Sequence, residues 1–216
     1  MKPKKPILVT GFEPFGGEAL NSSAQVAQAM QGRTIDAVPV VGVVLPCVFG
    51  TAIKALCAAL ERHGPQLVLA LGQAAGRDAF SLERVAINVD DARIPDNAGV
   101  QPIDEPVIAN GPAARFTTLP VKAMVAALRD AGHPAELSNS AGTFVCNHVF
   151  YGLQHALRTR RAVRSGFMHL PLLPEQAQAG QATMPLTQMI DGTALALATA
   201  LRWRAGDVRV TEGKLG

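Results

Sequence analysis

The chain has 216 residues, 48% of them hydrophobic and 17% charged, which is enough to bury a substantial core and excludes a disordered protein. A formal charge of +3, with no Lys/Arg stripe interleaved with aromatics, argues against a nucleic-acid binder. The longest apolar run stops well short of the ~18 residues of a membrane span, and Ile7–Val9 is too short for the apolar part of a secretion signal.

In chain order, Lys5 to Thr10 reads as a first buried strand, and Ser22 to Gln31 as a helix capped by Asn21 or Ser22. Val38 to Leu45 is a β-branched run and predicts a strand. Val48 to His63 carries Ile53, Leu56, Cys57 and Leu60 at helical spacing and stops at Gly64-Pro65. Gln66 to Gly72 is another apolar strand. Val121 to Ala131 and Cys146 to Leu157 read as helices, Gly166 to Leu170 as a strand, and Leu186 to Ala205 as a long final helix. The polar end, Arg209 to Gly216, is expected to fray.

Such alternation predicts an α/β protein, a mostly parallel sheet with helices on both faces. The stretch Asn88 to Leu119 interrupts it with Pro95, Pro102, Pro106 and Pro112, and reads as a functional loop or a cover over a site. No repeat or linker divides the chain, so residues 1–216 are expected to form one catalytic domain.

Three cysteines, Cys47, Cys57 and Cys146, give neither a disulfide framework nor a zinc ligand set, and point to a reducing compartment, the cytoplasm. Cys57 falls on an apolar helical stripe and reads as packing. Cys47 follows Pro46 at a strand end with no base in its neighbourhood, so it ranks second. Cys146 follows the small, polar turn Ser138-Asn-Ser-Ala-Gly-Thr-Phe-Val and sits at a helix entry. There the partial positive charge and unpaired N–H groups favour a thiolate and could hold an oxyanion. A small buried hydrophobe is the competing reading of the same position.

Five histidines could serve as its base. His148 lies roughly 200° around the helix from Cys146, and His155 also falls on the far side. His63 and His133 lie at a helix end and in a loop. His169 lies toward the carboxyl end of the strand Gly166-Phe-Met-His169-Leu-Pro171, where open α/β sheets place their chemistry. Glu83, Asp90, Asp91, Asp96 and Glu175 could each orient an imidazole, and the pattern does not choose among them.

Two glycine turns, Thr10-Gly-Phe-Glu-Pro-Phe-Gly-Gly17 and Gly72-Gln-Ala-Ala-Gly-Arg77, match no phosphate-binding fingerprint. The phenylalanines of the first suit the wall of an apolar pocket, and Gln73 offers a donor and an acceptor to an amide-like ligand.

These turns, with Glu83-Arg-Val-Ala-Ile-Asn88, Asp91-Ala-Arg-Ile-Pro-Asp-Asn97, Ser140-Ala-Gly-Thr-Phe-Val-Cys-Asn147 and His169-Leu-Pro-Leu-Leu-Pro-Glu-Gln176, together resemble the pyroglutamyl peptidase type I family. The resemblance implies a three-layer α/β/α fold of the phosphorylase/hydrolase-like kind, and a cysteine peptidase that cleaves the amide bond after an N-terminal pyroglutamyl residue through an acyl-thioester. It implies Cys146 as nucleophile, His169 as base and Glu83 as orienting acid. Phe12, Phe15, Ile94, Phe144 and Val145 would wall the ring pocket, Gln73 and Asn21 would read the lactam, and Arg93 would support an oxyanion or loop. His169-Leu-Pro-Leu departs from the family, which more often has Val and a larger apolar residue there. No metal or cofactor is implied. The partners would be pyroglutamyl peptides and further copies of the chain, a tetramer by resemblance, with neither nucleic acid nor membrane.

A pyroglutamyl group carries no basic amine, so its site calls for an apolar slot with one donor and one acceptor. A nucleoside phosphorylase-like enzyme and a non-catalytic pyroglutamyl-peptide binder are the rival readings. The first would need a phosphate nest and no cysteine; the second would bind such peptides and leave them intact.

Overall fold

The apolar run Ile7–Phe12 forms β1 and is buried along its whole length. The computed structural model describes residues 4–203 and 206–213. From β1 the chain runs through α1 (Ser22–Met30), β2 (Thr34–Ile35), β3 (Val38–Leu45), α2 (Thr51–His63), β4 (Leu67–Gln73), β5 (Phe80–Glu83) and β6 (Val85–Ile87). It continues through β7 (Ala114–Phe116), α3 (Val121–Asp130), β8 (Ala135–Ser138), α4 (Val145–Ala156), β9 (Arg164–Leu170) and α5 (Leu186–Arg202).

Seven strands make one sheet in the order β2-β3-β1-β4-β9-β5-β8, and β6 and β7 form a separate ribbon. β3, β1, β4 and β9 run parallel. β5 joins β9 antiparallel and β8 joins β5 parallel, so the sheet is mostly but not wholly parallel. Alternation along the strands sorts the side chains into two cores. Ile7, Val9, Leu69, Leu71, Met168 and Leu170 pack with α1, α3 and α5. Leu8, Phe12, Val68, Ala70 and Phe167 pack with α2 and α4 on the other face. The fold is therefore the expected three-layer α/β/α sandwich.

Local chemistry sets the helix ends. Asn21 caps α1, its Oδ1 accepting from Ser23 N at 3.0 Å. Gly64 closes α2 in the left-handed region, φ 51°, where a side chain would be strained. α2 starts at Thr51, not Val48, because Phe49 N donates to Asp96 and Gly50 N to His148, which holds residues 48–50 outside the helix. Pro120 supplies no side-chain cap to α3; Asp207 accepts from Lys122 N and Ala123 N instead, both at 2.9 Å.

That capping corrects the expectation of a frayed C-terminal end. Residues 206–213 lie along α3, with Arg84 donating to Glu212 O and Arg129 paired to its carboxylate; 214–216 lie outside the described residues. The final helix ends at Arg202, and 204–205 of its expected span also lie outside. β1 is shifted two residues from the expected Lys5–Thr10. The short strands β2, β5, β6, β7 and β8 have no counterpart in the sequence reading. The excursion 88–119 is not wholly irregular: it contains β7 and a bridge between Asp90 and Glu105.

Candidate active site

Gly72 on β4 faces His169 on β9 in register. Phe167 belongs to the core on the α4 side, so His169, two residues on, points to that side as well. The reversal at β5 sets Ser81 opposite His169 and Glu83 opposite Phe167. Across this pairing Glu83 Oε1 accepts from His169 Nδ1 at 2.8 Å. The bond puts the proton on Nδ1 and leaves Nε2 of the neutral ring as the basic nitrogen.

Glu83 is wholly buried, and Arg77 Nη1 lies 2.9 Å from the same Oε1. Its other oxygen, Oε2, is buried without a hydrogen-bond partner. Of the five carboxylates that could orient a base, Glu83 is the one beside His169. Asp90 pairs with His148 at 2.7 Å, Asp96 accepts from Phe49 N, Ala98 N and Val100 N, Asp91 lines the cavity described below, and Glu175 is exposed on a short 3-10 turn.

Cys146 is the second residue of α4. The first hydrogen bond bridging this helix entry runs from His148 N to Phe144 O, so the N–H groups of the first turn stand before it as candidate oxyanion donors. A Cβ built on Gly72 would lie 2.7 Å from Cys146 Sγ, 2.8 Å from Phe167 Cζ and 3.0 Å from His169 Cδ2, the carbon bonded to Nε2. Sulfur and imidazole edge thus converge over the bare backbone of one glycine, no farther apart than the sum of the two distances. His148 points away, as its helical position requires: its Nδ1 faces Asp90 and its Nε2 accepts from Gly50 N.

Burial pushes the Cys146 thiol well above its ordinary value; nearby Cys47 and Glu83 add to the rise and Arg77 opposes it. Desolvation thus opposes the helix entry at this sulfur, which is only partly buried and lines the cavity described below. Cys47 is raised to about 12, first by burial and then by Glu13 and Asp96.

A cavity of about 400 Å³ opens at these groups. Cys146, His169, Gln73, Phe15, Phe144 and Ile94 all line it, as does Arg93. Phe15 and Phe144 pack with ring centroids 5.7 Å apart. The Gln73 side-chain oxygen already accepts from Ser22 N at 2.7 Å, so its NH₂ is the group left for a ligand. Three expected residues do not line the cavity. Phe12 packs in the core against Phe167, Val145 is buried, and the Asn21 amide is spent on Ser23 and Glu13 O.

Arg77 and Thr143 line the cavity without having been singled out as site residues, though both lay in the quoted motifs. Phe49, which no motif marks, does not line the cavity but supports its wall, meeting Phe144 edge-on at 5.4 Å. A larger cleft, about 590 Å³, opens at the other end of the strands. Its Arg202 is held by both oxygens of Asp36, and its Lys4 by the Asp36 carbonyl. Among the described residues, no cluster of three His, Cys, Asp or Glu side chains is placed to hold a metal ion, and no helix is long and apolar enough to cross a membrane.

A sequence profile of the pyroglutamyl peptidase family matches residues 5–203. The chain is 55% identical over 198 residues to a pyrrolidone-carboxylate peptidase of Vibrio vulnificus, covering 91% of this chain and 93% of that one. It is 54% identical over 213 residues to the enzyme of the same name from Cupriavidus taiwanensis, covering 97% and 98%. The crystal structure of pyroglutamyl peptidase I from Bacillus amyloliquefaciens superposes with a TM-score of 0.92 at 38% identity, over 96% of this chain and 100% of that one.

Proposed function

From the premise that this chain belongs to the pyroglutamyl peptidase family, a family of cysteine-type hydrolases, we propose that it releases N-terminal pyroglutamate from peptides with Cys146 as nucleophile, His169 as acid and base, and Glu83 as the group that orients His169. The convergence of Cys146 Sγ and the His169 edge over Gly72, with Glu83 behind the ring, carries this reading.

The substrate's lactam ring sits between Phe15, Phe144 and Ile94, with the Gln73 NH₂ directed at the ring carbonyl. His169 Nε2 takes the thiol proton as sulfur attacks the pyroglutamyl carbonyl carbon. The first-turn N–H groups of α4 meet the oxyanion, and Arg93 at the cavity supports it. The C–N bond then breaks, the leaving nitrogen takes the proton from His169, and an acyl-thioester remains. Water attacks it, giving one proton to His169, and the sulfur leaves and recovers a proton from the ring. The sulfur must pass its proton to His169 to attack, which makes the geometry of His169 decisive. All three cysteines are free, which suits a cytoplasmic site of action; assembly as a homo-oligomer, a tetramer, belongs to the same proposal.

The test is release of a fluorogenic amine from a pyroglutamyl amide. Cys146→Ala is expected to lose about 10⁴-fold or more in kcat with an unchanged circular dichroism spectrum. Activity near that of the unaltered protein would remove Cys146 from the reaction.

A further inference from the structure

Arg77 is not needed by the mechanism above, yet it touches two of its parts. It leaves the loop after β4, lines the cavity beside Cys146 and His169, and places Nη1 2.9 Å from the one oxygen of Glu83 that also faces His169. Its Nη2 donates to Ser140 O at 3.2 Å, at the start of the turn that leads to Cys146. The side chain is about three-quarters buried. It is therefore held from both sides: by an ion pair, without a hydrogen bond from Nη1, to the carboxylate behind the base, and by the Nη2 hydrogen bond to the backbone that delivers the nucleophile.

We infer that Arg77 is a positioning residue: it shares Glu83 Oε1 with His169, so that the carboxylate orients the ring without trapping a second proton on it, and it ties that pair to the Cys146 turn through Ser140. The inference rests on the reading of Cys146, His169 and Glu83 given above.

The physical reason is the burial of Glu83. A desolvated carboxylate with a single imidazole partner favours the doubly protonated ring strongly, and a ring in that state cannot accept the thiol proton. A guanidinium on the same oxygen offsets the charge and leaves the orientation intact. The unpartnered Oε2 shows that Oε1 alone carries both contacts. The charged and titratable groups around His169 are its partner Glu83 on β5, and Cys146 on α4, Asp91 and Arg93 from the 88–119 excursion and Arg77, which line the cavity with it; Cys47 after β3 lies near Cys146, and Glu136 on β8 reaches Ser81 opposite His169. Arg77 is the cation among them within contact of Glu83.

The sign follows for any division of the protons. The acid limb of kcat/KM records loss of one proton from the coupled sulfur and imidazole. A nearby cation favours that loss, as it does in opposing the rise of the Cys146 thiol. Removing it moves the limb to higher pH.

The experiment measures kcat/KM against pH for Arg77→Met, Arg77→Lys and the unaltered enzyme, with thermal unfolding of each. Arg77→Met is expected to shift the acid limb up by about one pH unit and to cost about tenfold below it. Arg77→Lys restores most of the limb. Guanidinium ion at millimolar, non-denaturing concentration restores part of it to Arg77→Met, where sodium chloride of equal ionic strength does not. A folded Arg77→Met with an unmoved limb overturns the proposal and leaves Arg77 a tether for Ser140. If Arg77→Met does not fold, the limb of Arg77→Gln decides: displaced upward by about one unit supports the proposal, and unmoved overturns it. Iodoacetamide treatment of the unaltered enzyme separates this failure from failure of the underlying reading, since a protein that survives alkylation of Cys146 has lost the reading itself.

Discussion

Two buried histidines in this molecule each turn Nδ1 to a buried carboxylate, at nearly the same distance: His169 to Glu83 at 2.8 Å and His148 to Asp90 at 2.7 Å. Taken by the dyad alone, the two are interchangeable. They differ in what the other ring nitrogen meets. His148 Nε2 accepts from Gly50 N at 2.9 Å, so the ring is a strut between the 88–119 excursion and the entry to α2. The Nε2 edge of His169 meets a cavity and the sulfur of Cys146. A histidine–carboxylate pair marks an active site only when the second nitrogen is left unspent.

The sharpest way to break the comparison is to remove each ring. His169→Ala is expected to lower kcat by about 10³-fold or more, with little change in Tm. If it retains ordinary turnover, His169 is a strut as well and the distinction collapses.

Gly72 gives the next largest effect. A methyl there overlaps Cys146 Sγ, Phe167 Cζ and His169 Cδ2 together. Gly72→Ala must displace the reacting pair or the ring beneath it, and is expected to cost about 10²-fold in kcat/KM. A fully active Gly72→Ala would show that sulfur and imidazole do not need the close approach.

Glu83→Gln probes the charge behind the ring. The amide keeps the shape and can still accept from Nδ1, while the charge is lost. A fall in kcat of about 10- to 10²-fold is expected, less than for either reacting residue. Turnover at the unaltered rate in Glu83→Gln, and again in Glu83→Ala, would assign the orienting role elsewhere.

The sequence reveals much of this arrangement, unevenly. Long periodic or β-branched segments such as β3 and α2 declare themselves, because their pattern is the same thing as their burial. The strands β5 and β8 do not. Phe80-Ser-Leu-Glu and Ala135-Glu-Leu-Ser are four residues each, and only pairing with β9 and with each other makes them strands. Glu83 suffered for it: in the chain it sits beside Arg84 like a surface residue, and its burial comes from an antiparallel reversal that local pattern does not carry. Cys146 and His169 were legible because a helix entry and a strand's carboxyl end are positions with chemical consequences of their own. Charge state is less so: the helix entry argues for a thiolate, and desolvation, a property of the packed whole, opposes it. Asn21 likewise shows how one residue type serves two roles, since an asparagine suited to reading a lactam suits a helix cap equally well.

The smallest expected effect on catalysis is at the strut. His148→Ala leaves Gly50 N without its acceptor and takes the hydrogen-bond partner from Asp90 Oδ2, whose Oδ1 is already buried without one. Losing these contacts is expected to cost about 3 kcal/mol, the range for an orphaned buried charge and a lost buried acceptor, and so to lower Tm by about 6–12 °C. The ring of Phe49, which packs edge-on against both His148 and Phe144, loses one support, so KM for the pyroglutamyl amide rises a few-fold while kcat stays within about tenfold of the original. Adding Asp90→Asn to His148→Ala removes the stranded charge and is expected to return part of the lost stability, a coupling that independent sites would not show. A thousandfold fall in kcat with Tm unchanged would mean that the second dyad takes part in the chemistry, and that the open or occupied state of Nε2 does not separate the two.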